Sequence, residues 1–244
     1  MKVTFLGCKG SVQTEHDLNT SLLFEHQGNS ILIDCSGSLS VAVDANVSDI
    51  VITHEHIDHV YGLVSLLHQM WLSGRKEKLT IHAKGDALKL ALSMIELFKL
   101  KEKKGIYPIE LVEISSFSCG EVNIDYFDTD HTPNSFGLVF SSNGKKVVYT
   151  SDTRPISTPL EIMKDADLLI SEASGLEEDK PSLVVKGHQS GLDAGLLAVS
   201  LNAKALRIVH LPKSQEKSLL IENEAREVFP GAKNASPLGE IEVL

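Results

Sequence analysis

His54-Glu55-His56-Ile57-Asp58-His59 is the stretch on which the reading of this chain turns. Four of its six residues are good metal ligands. The stretch stands between a β-branched run, Ile50 to Ile52, and an amphipathic helical pattern carried by Val60, Leu63, Val64, Leu67 and Trp71. Side-chain direction repeats every two residues in an extended segment, so His54 and His56 can point the same way. Asp58 and His59, at the helix start, aim at a neighbouring point. One turn can thereby serve two adjacent metal ions, and this spacing of ligand types is a specific signal.

Two divalent ions need further ligands from distant segments. The suitable candidates are His131, in Asp128-Thr129-Asp130-His131, Asp152, in Thr150-Ser151-Asp152-Thr153, and His210, in Ile208-Val209-His210-Leu211. A carboxylate has two oxygens that can reach separate ions, so Asp152 can bridge. Imidazole and carboxylate donors suit Zn²⁺ best, with Mn²⁺ or Fe as alternatives. His16, His26, His68 and His82 are isolated and read as surface or satisfied core histidines.

Short apolar or β-branched runs at Val3–Leu6, Leu22–Phe24, Ile31–Ile33, Ile50–Ile52, Ile124–Phe127, Leu138–Phe140, Val147–Tyr149, Leu168–Ile170 and Leu206–Val209 read as strands. Asn143-Gly144 is a hairpin turn between two of them. Beyond the helical pattern that starts at Val60, Leu88 to Phe98 behind Asp86 as an N-cap, Leu192 to Leu201 and Ser214 to Val228 read as helices. His54, His131, Asp152, Glu172 and His210 all fall just past the carboxyl ends of predicted strands. That edge is where loops can vary while the sheet holds their roots. The expected class is α/β (α+β), a mixed sheet system with helices on its outer faces.

The chain's 244 residues, 42% of them hydrophobic, suffice for a substantial core, and no linker or charge block divides them, so one domain spanning 1–244 is expected. The start, MKVTFLG, lacks a signal-peptide pattern, and no apolar run approaches the ~18 residues of a membrane span, so a cytoplasmic location is expected. Cys8, Cys35 and Cys119 are scattered, without metal-knuckle spacing. A formal charge of −10 argues against broad adhesion to nucleic acid. The lysines at 99, 101, 103 and 104 read as a helix end that complements the helix dipole.

The order His54-x-His56-x-Asp58-His59, His131, Asp152, His210 resembles the metallo-β-lactamase superfamily over nearly the whole chain. The resemblance implies a four-layer αββα sandwich with the metals at the sheet ends. His54, His56 and His131 would hold the first ion, Asp58, His59 and His210 the second, and Asp152 would bridge. Leu6-Gly7, Leu32-Ile33-Asp34-Cys35, Ser135-x-Gly137, Tyr149 to Pro155, Ser171-Glu172-Ala173 and Gly187-His188-x-Ser190 resemble the ribonuclease Z branch of phosphodiesterases more closely. This implies hydrolysis of a phosphodiester, either RNA or a small cyclic diester, and a homodimer. Asp58 would orient or deprotonate the attacking water. His188 would contact the phosphate or protonate the leaving oxygen, with Glu172 hydrogen-bonded behind it.

The chain departs from that branch in four places. Leu18-Asn19 stands for an Arg-Asn pair, Ser151 for a glycine before the bridging aspartate, and His188-Gln189-Ser190 for a His-Ser-Thr triplet. The long arm that tRNA-processing members insert has no counterpart between His131 and Asp152, where only a hairpin's worth of sequence lies. A thioesterase or lactonase needs no leaving-group acid and is the alternative hydrolase. A non-catalytic binding module is disfavoured because every expected ligand is present.

Overall fold

A computed structural model describes residues 1–243. The chain runs β1 (Lys2–Gly7), β2 (Ser21–His26), β3 (Asn29–Ile33), α1 (Leu39–Asp44), β4 (Asp49–Val51), α2 (Ile57–Val60), α3 (Leu63–Leu72), β5 (Leu79–Ala83), α4 (Gly85–Leu97) and β6 (Ile109–Glu113). It continues with β7 (Phe117–Cys119), β8 (Val122–Asp128), β9 (Phe136–Ser142), β10 (Lys145–Tyr149), β11 (Leu168–Glu172), α5 (Lys180–Val185), α6 (Gly191–Ser200), β12 (Leu206–Val209), α7 (Gln215–Val228), β13 (Ala232–Asn234) and β14 (Glu240–Glu242).

Two seven-stranded sheets result, ordered β14-β1-β2-β3-β4-β5-β6 and β13-β12-β11-β10-β9-β8-β7. Each is antiparallel on one side, where hairpins such as β2–β3 and β9–β10 build it, and parallel on the other, where helices make the crossovers. The period-2 alternation of the strands decides the layering. Ile31 and Ile33 face the other sheet while Leu32 faces the helices, and Val147 and Tyr149 face inward while Val148 faces outward. Phe24 and Phe140 stack across the inter-sheet core with centroids 4.3 Å apart. Outside, α1, α3 and α4 cover the first sheet with Leu63, Leu66, Leu67, Ala91 and Ile95, and α6 and α7 cover the second with Ala194, Leu197, Ile221 and Ala225. The architecture is the αββα sandwich.

All nine strands expected from the sequence form, as does the Asn143-Gly144 turn, with Asn143 at φ 51° and Gly144 at φ 75°. Five strands and two short helices add to that expectation. The strands β7, β13 and β14 have three residues each, and β6 alternates with glutamates at a sheet edge, so their pairing depends on neighbours more than on local pattern. Two local expectations are corrected. Lys84, not Asp86, is the N-cap of α4, and Asp86 lies in the first turn with its carboxylate 2.8 Å from Lys89 Nζ. The helix ends at Leu97 with Lys99 left-handed beyond it, so the lysines lie past the helix end and outside the reach of its last-turn dipole.

Candidate metal centre

The strands β4, β8, β10, β11 and β12 end on one edge of the sandwich, and the turns that follow them carry His54, His131, Asp152, Ser174 and His210. Five groupings come together there, each with ligand atoms within 4.8 Å of one another: His54, His56 and His131; Asp58, His59 and His210; His54, His59 and Asp152; His131, Asp152 and His188; and Glu172, His188 and His210. Asp152 is the hub. Its Oδ2 lies 3.8 Å from His54 Nε2, 3.5 Å from His59 Nε2, 3.7 Å from His131 Nε2 and 3.1 Å from His210 Nε2. Asp58 Oδ2 stands 3.8 Å from His59 Nε2 and 3.4 Å from His210 Nε2.

Several of the polar atoms that meet here are left without partners. His54 Nε2, His59 Nε2, His210 Nε2 and Asp152 Oδ1 are buried and make no hydrogen bond among the described residues. Leaving a buried donor or acceptor unsatisfied costs about 1–3 kcal/mol, and four at one point would be a severe penalty for a site with no further occupant. Divalent ions fit this donor set of imidazoles and carboxylates.

The opposite nitrogen of nearly every ring is tied down. Asp34 Oδ2 accepts from His59 Nδ1 at 2.8 Å, and the same carboxylate accepts from the Thr53 backbone N–H at 2.9 Å. Thr53 Oγ1 lies 3.1 Å from His54 Nδ1, the Gly187 carbonyl 2.9 Å from His131 Nδ1, and Ser174 Oγ 2.9 Å from His210 Nδ1. Such partners set the ring orientation and free the other nitrogen for a ligand role. Burial, first among its causes, lowers His131 to about 4, which keeps the ring neutral as a metal ligand must be. Burial raises Asp58, but the contacts with His210 and His59 outweigh it and hold the carboxyl well below its usual range.

The backbone is strained to achieve this. Asp34, Ser151 and His210 have φ of 55°, 54° and 57°, in the left-handed region that side chains with a Cβ avoid, at about 1–3 kcal/mol each. Ser151 therefore occupies a position whose geometry suits the glycine that the ribonuclease Z branch carries there. Two glycines are required by close approach. A Cβ on Gly187 would sit 2.5 Å from His131 Nδ1, and one on Gly10 would sit 2.9 Å from His210 Cε1.

At the mouth, the His188 ring centroid lies 4.9 Å from that of His131 and 5.0 Å from that of His210. Its Nδ1 donates to Glu172 Oε1 at 3.0 Å. Burial opposes the charged form, yet Glu172 and Asp152 raise His188 to about 9. Glu172 is wholly buried. Its Oε1 also accepts from the Thr153 N–H, and its Oε2 accepts from Ser174 Oγ, which bridges onward to His210. One carboxylate thus orients both His188 and His210. Every residue singled out in the sequence reaches this edge. Ser174 and Gly10 have no role in the sequence reading, because a serine or a glycine near a strand end has no pattern that distinguishes it, and Asp34 stands there only as part of the Leu32-Ile33-Asp34-Cys35 stretch, with no contact assigned to it.

This ligand edge on an αββα sandwich defines a metal-dependent hydrolase of the metallo-β-lactamase superfamily, in the ribonuclease Z-like phosphodiesterase branch. The YhfI protein of Bacillus subtilis, a metallo-β-lactamase fold protein, superposes with a TM-score of 0.80 at 24% identity, over 98% of both chains. The short form of human tRNase Z, ELAC1, superposes at 0.80 with 20% identity over 100% of both. In sequence, the ribonuclease Z of Halorubrum lacusprofundi is 26% identical over 294 aligned positions, covering 95% of this chain and 93% of its own. Residues 1–177 match the family model of the anti-Pycsar protein Apyc1, and the chain belongs to that family.

Proposed function

We propose that this chain hydrolyses small phosphodiesters, cyclic nucleotides among them, using two divalent ions, with zinc the best fit to the donors and manganese or iron as alternatives. His54, His56 and His131 would hold one ion, Asp58, His59 and His210 the other, and Asp152 would bridge. When bound, the ions supply an activated water and offset charge on the phosphoryl oxygens. Asp58 orients or deprotonates the attacking water. His188 donates a proton to the leaving oxygen, and Glu172, 3.0 Å behind its Nδ1, fixes the ring and supports its positive charge.

The observation that carries this reading is His188 held by a buried carboxylate at the mouth of a ligand-rich, unsatisfied polar centre. A leaving-group acid is what a phosphodiester with a poor leaving group requires, and what a thioester or lactone does not. Small substrates are favoured over RNA on two grounds. Net charge is −10, and each phosphate held on RNA needs a cationic contact. The alignment to the archaeal ribonuclease Z runs over 294 positions although this chain has 244 residues, so that relative carries stretches this chain lacks. Among the described residues no helix is long and apolar enough to cross a membrane. A homodimer belongs to the same proposal and rests on the family resemblance.

The test is a side-by-side assay of the metal-loaded protein on a cyclic nucleotide, an activated aryl diester, precursor tRNA, a thioester and a lactone. Turnover of the two small diesters is expected, with weak tRNA binding. His188→Ala should slow the cyclic nucleotide by about 10²-fold, within the range for loss of a general acid, and the aryl diester far less, because an activated leaving group needs little protonation. Efficient tRNA trimming without small-diester turnover would contradict the substrate assignment. Activity confined to thioesters or lactones, unaffected by His188→Ala, would move the chain to another class.

A further inference from the structure

The loop between β1 and β2 grips the turn that carries His210, at His210, Leu211 and Pro212 in succession. Thr20 Oγ1 accepts from the His210 N–H at 3.1 Å and donates to the Lys9 carbonyl at 3.0 Å. The Leu211 N–H donates to the Cys8 carbonyl, and the Leu211 carbonyl accepts from the Gly10 N–H, both at 2.9 Å. Lys9 reaches further along the turn, where its Nζ donates to the Pro212 carbonyl at 3.1 Å.

Two of these groups are unusual for where they stand. Lys9 is 4% exposed, and a buried ammonium is costly unless it is paired. Its carboxylate is Asp17, whose Oδ2 lies 3.8 Å from Nζ and whose Oδ1 accepts from the Cys8 N–H at 2.9 Å. Thr20 is buried as well, and its single hydroxyl serves one donor and one acceptor. Polar networks sunk this deeply specify one arrangement of the backbone they join.

The backbone they join is a demanding one. Among the candidate ligands only His210 is left-handed, at φ 57°, a conformation that persists where its surroundings over-determine it. Ser174 sets the His210 ring, and the loop sets the backbone beneath it. The other side of the centre does not use this loop, since Thr53 and Gly187 hold His54 and His131.

We propose that Thr20 and Lys9 are positioning residues for the second ion, keeping His210 Nε2 where it stands 3.4 Å from Asp58 and 3.1 Å from Asp152. Their role rests on the two-ion reading above and separates the two ions, because the grip reaches one ligand set and not the other.

Cobalt titration of the metal-free protein, followed by visible absorption and elemental analysis, reads the two ions in turn. The parent protein should take up two. Thr20→Val keeps the shape and removes the hydroxyl, so the second ion should bind about 10–100-fold more weakly, the range for groups that support a ligand, with the first unchanged. Thr20→Ser should restore it. Lys9→Met/Asp17→Asn removes the buried charge pair together and leaves Thr20 in place, so the test does not depend on one variant folding; it should weaken the same ion. A folded variant of either kind that keeps the second ion at parental affinity overturns the role of the residue it changes. Loss of both ions together, or a Thr20→Ser protein no better than Thr20→Val, shows general damage and overturns positioning. Fewer than two ions in the parent refutes the two-ion reading and the role with it, whereas two ions in parent and variants alike refutes the role alone.

Discussion

Asp152→Asn is expected to lower turnover by about 10³-fold, beyond the roughly 10–100-fold typical of groups that only support a ligand. The change also strips the protein of metal. Asp152 is 2% exposed, and its Oδ2 lies within 4.0 Å of a nitrogen on His54, His59, His131, His188 and His210. Among the described residues no other carboxylate touches both halves of the cluster. An amide of the same shape keeps one acceptor, loses the charge and cannot bridge two cations. The orphaned imidazole nitrogens of His54, His59 and His210 would then lose the negative centre they share. Metal content and turnover should fall together while circular dichroism stays native. A folded variant with full metal and near-normal turnover would remove Asp152 from its central place.

Asp58→Asn is expected to cut turnover by about 10²-fold, comparable to loss of a general base. Here the measurement of interest is the split between activity and metal. Asp58 lies in α2 beside His59 and reaches His210 at 3.4 Å. The amide in this variant retains an oxygen for binding but is a far weaker base, so the ion that position helps to hold should be retained better than in Asp152→Asn. Steady-state kinetics with elemental analysis on the same sample reads both. Near-normal kcat in a metal-loaded, folded Asp58→Asn protein would show that water activation lies elsewhere.

Much of this centre is visible in the sequence because metal chemistry demands particular residue types at strand ends. His54, His56, Asp58 and His59 lie in one turn, and His131, Asp152 and His210 each follow a β-branched run that folds as a strand. Strands buried on both faces, such as Ile50 to Ile52 or Leu168 to Ile170, are legible for the same reason: continuous apolar runs leave few alternatives. Of the pairs that orient the site, Glu172 behind His188 is legible through the family resemblance, and the others are not. Asp34 is 25 residues from His59 and Ser174 is 36 from His210, and only the parallel pairing of β3 with β4 and of β11 with β12 brings them within 3 Å. Gly10 reads as an ordinary loop glycine until the ring of His210 is seen against it. Edge strands of three residues escape for a related reason, since their stability comes from the neighbour they pair with.

The most direct test of the account is the metal content of the purified, metal-exposed protein, measured by elemental analysis against the His54→Ala/His56→Ala variant. The ligand set at the strand ends predicts close to two divalent ions per chain in the parent protein and a marked loss in the variant, with the fold retained by circular dichroism. A parent protein that holds no ion after loading, or a double variant that keeps both, would contradict the centre described above.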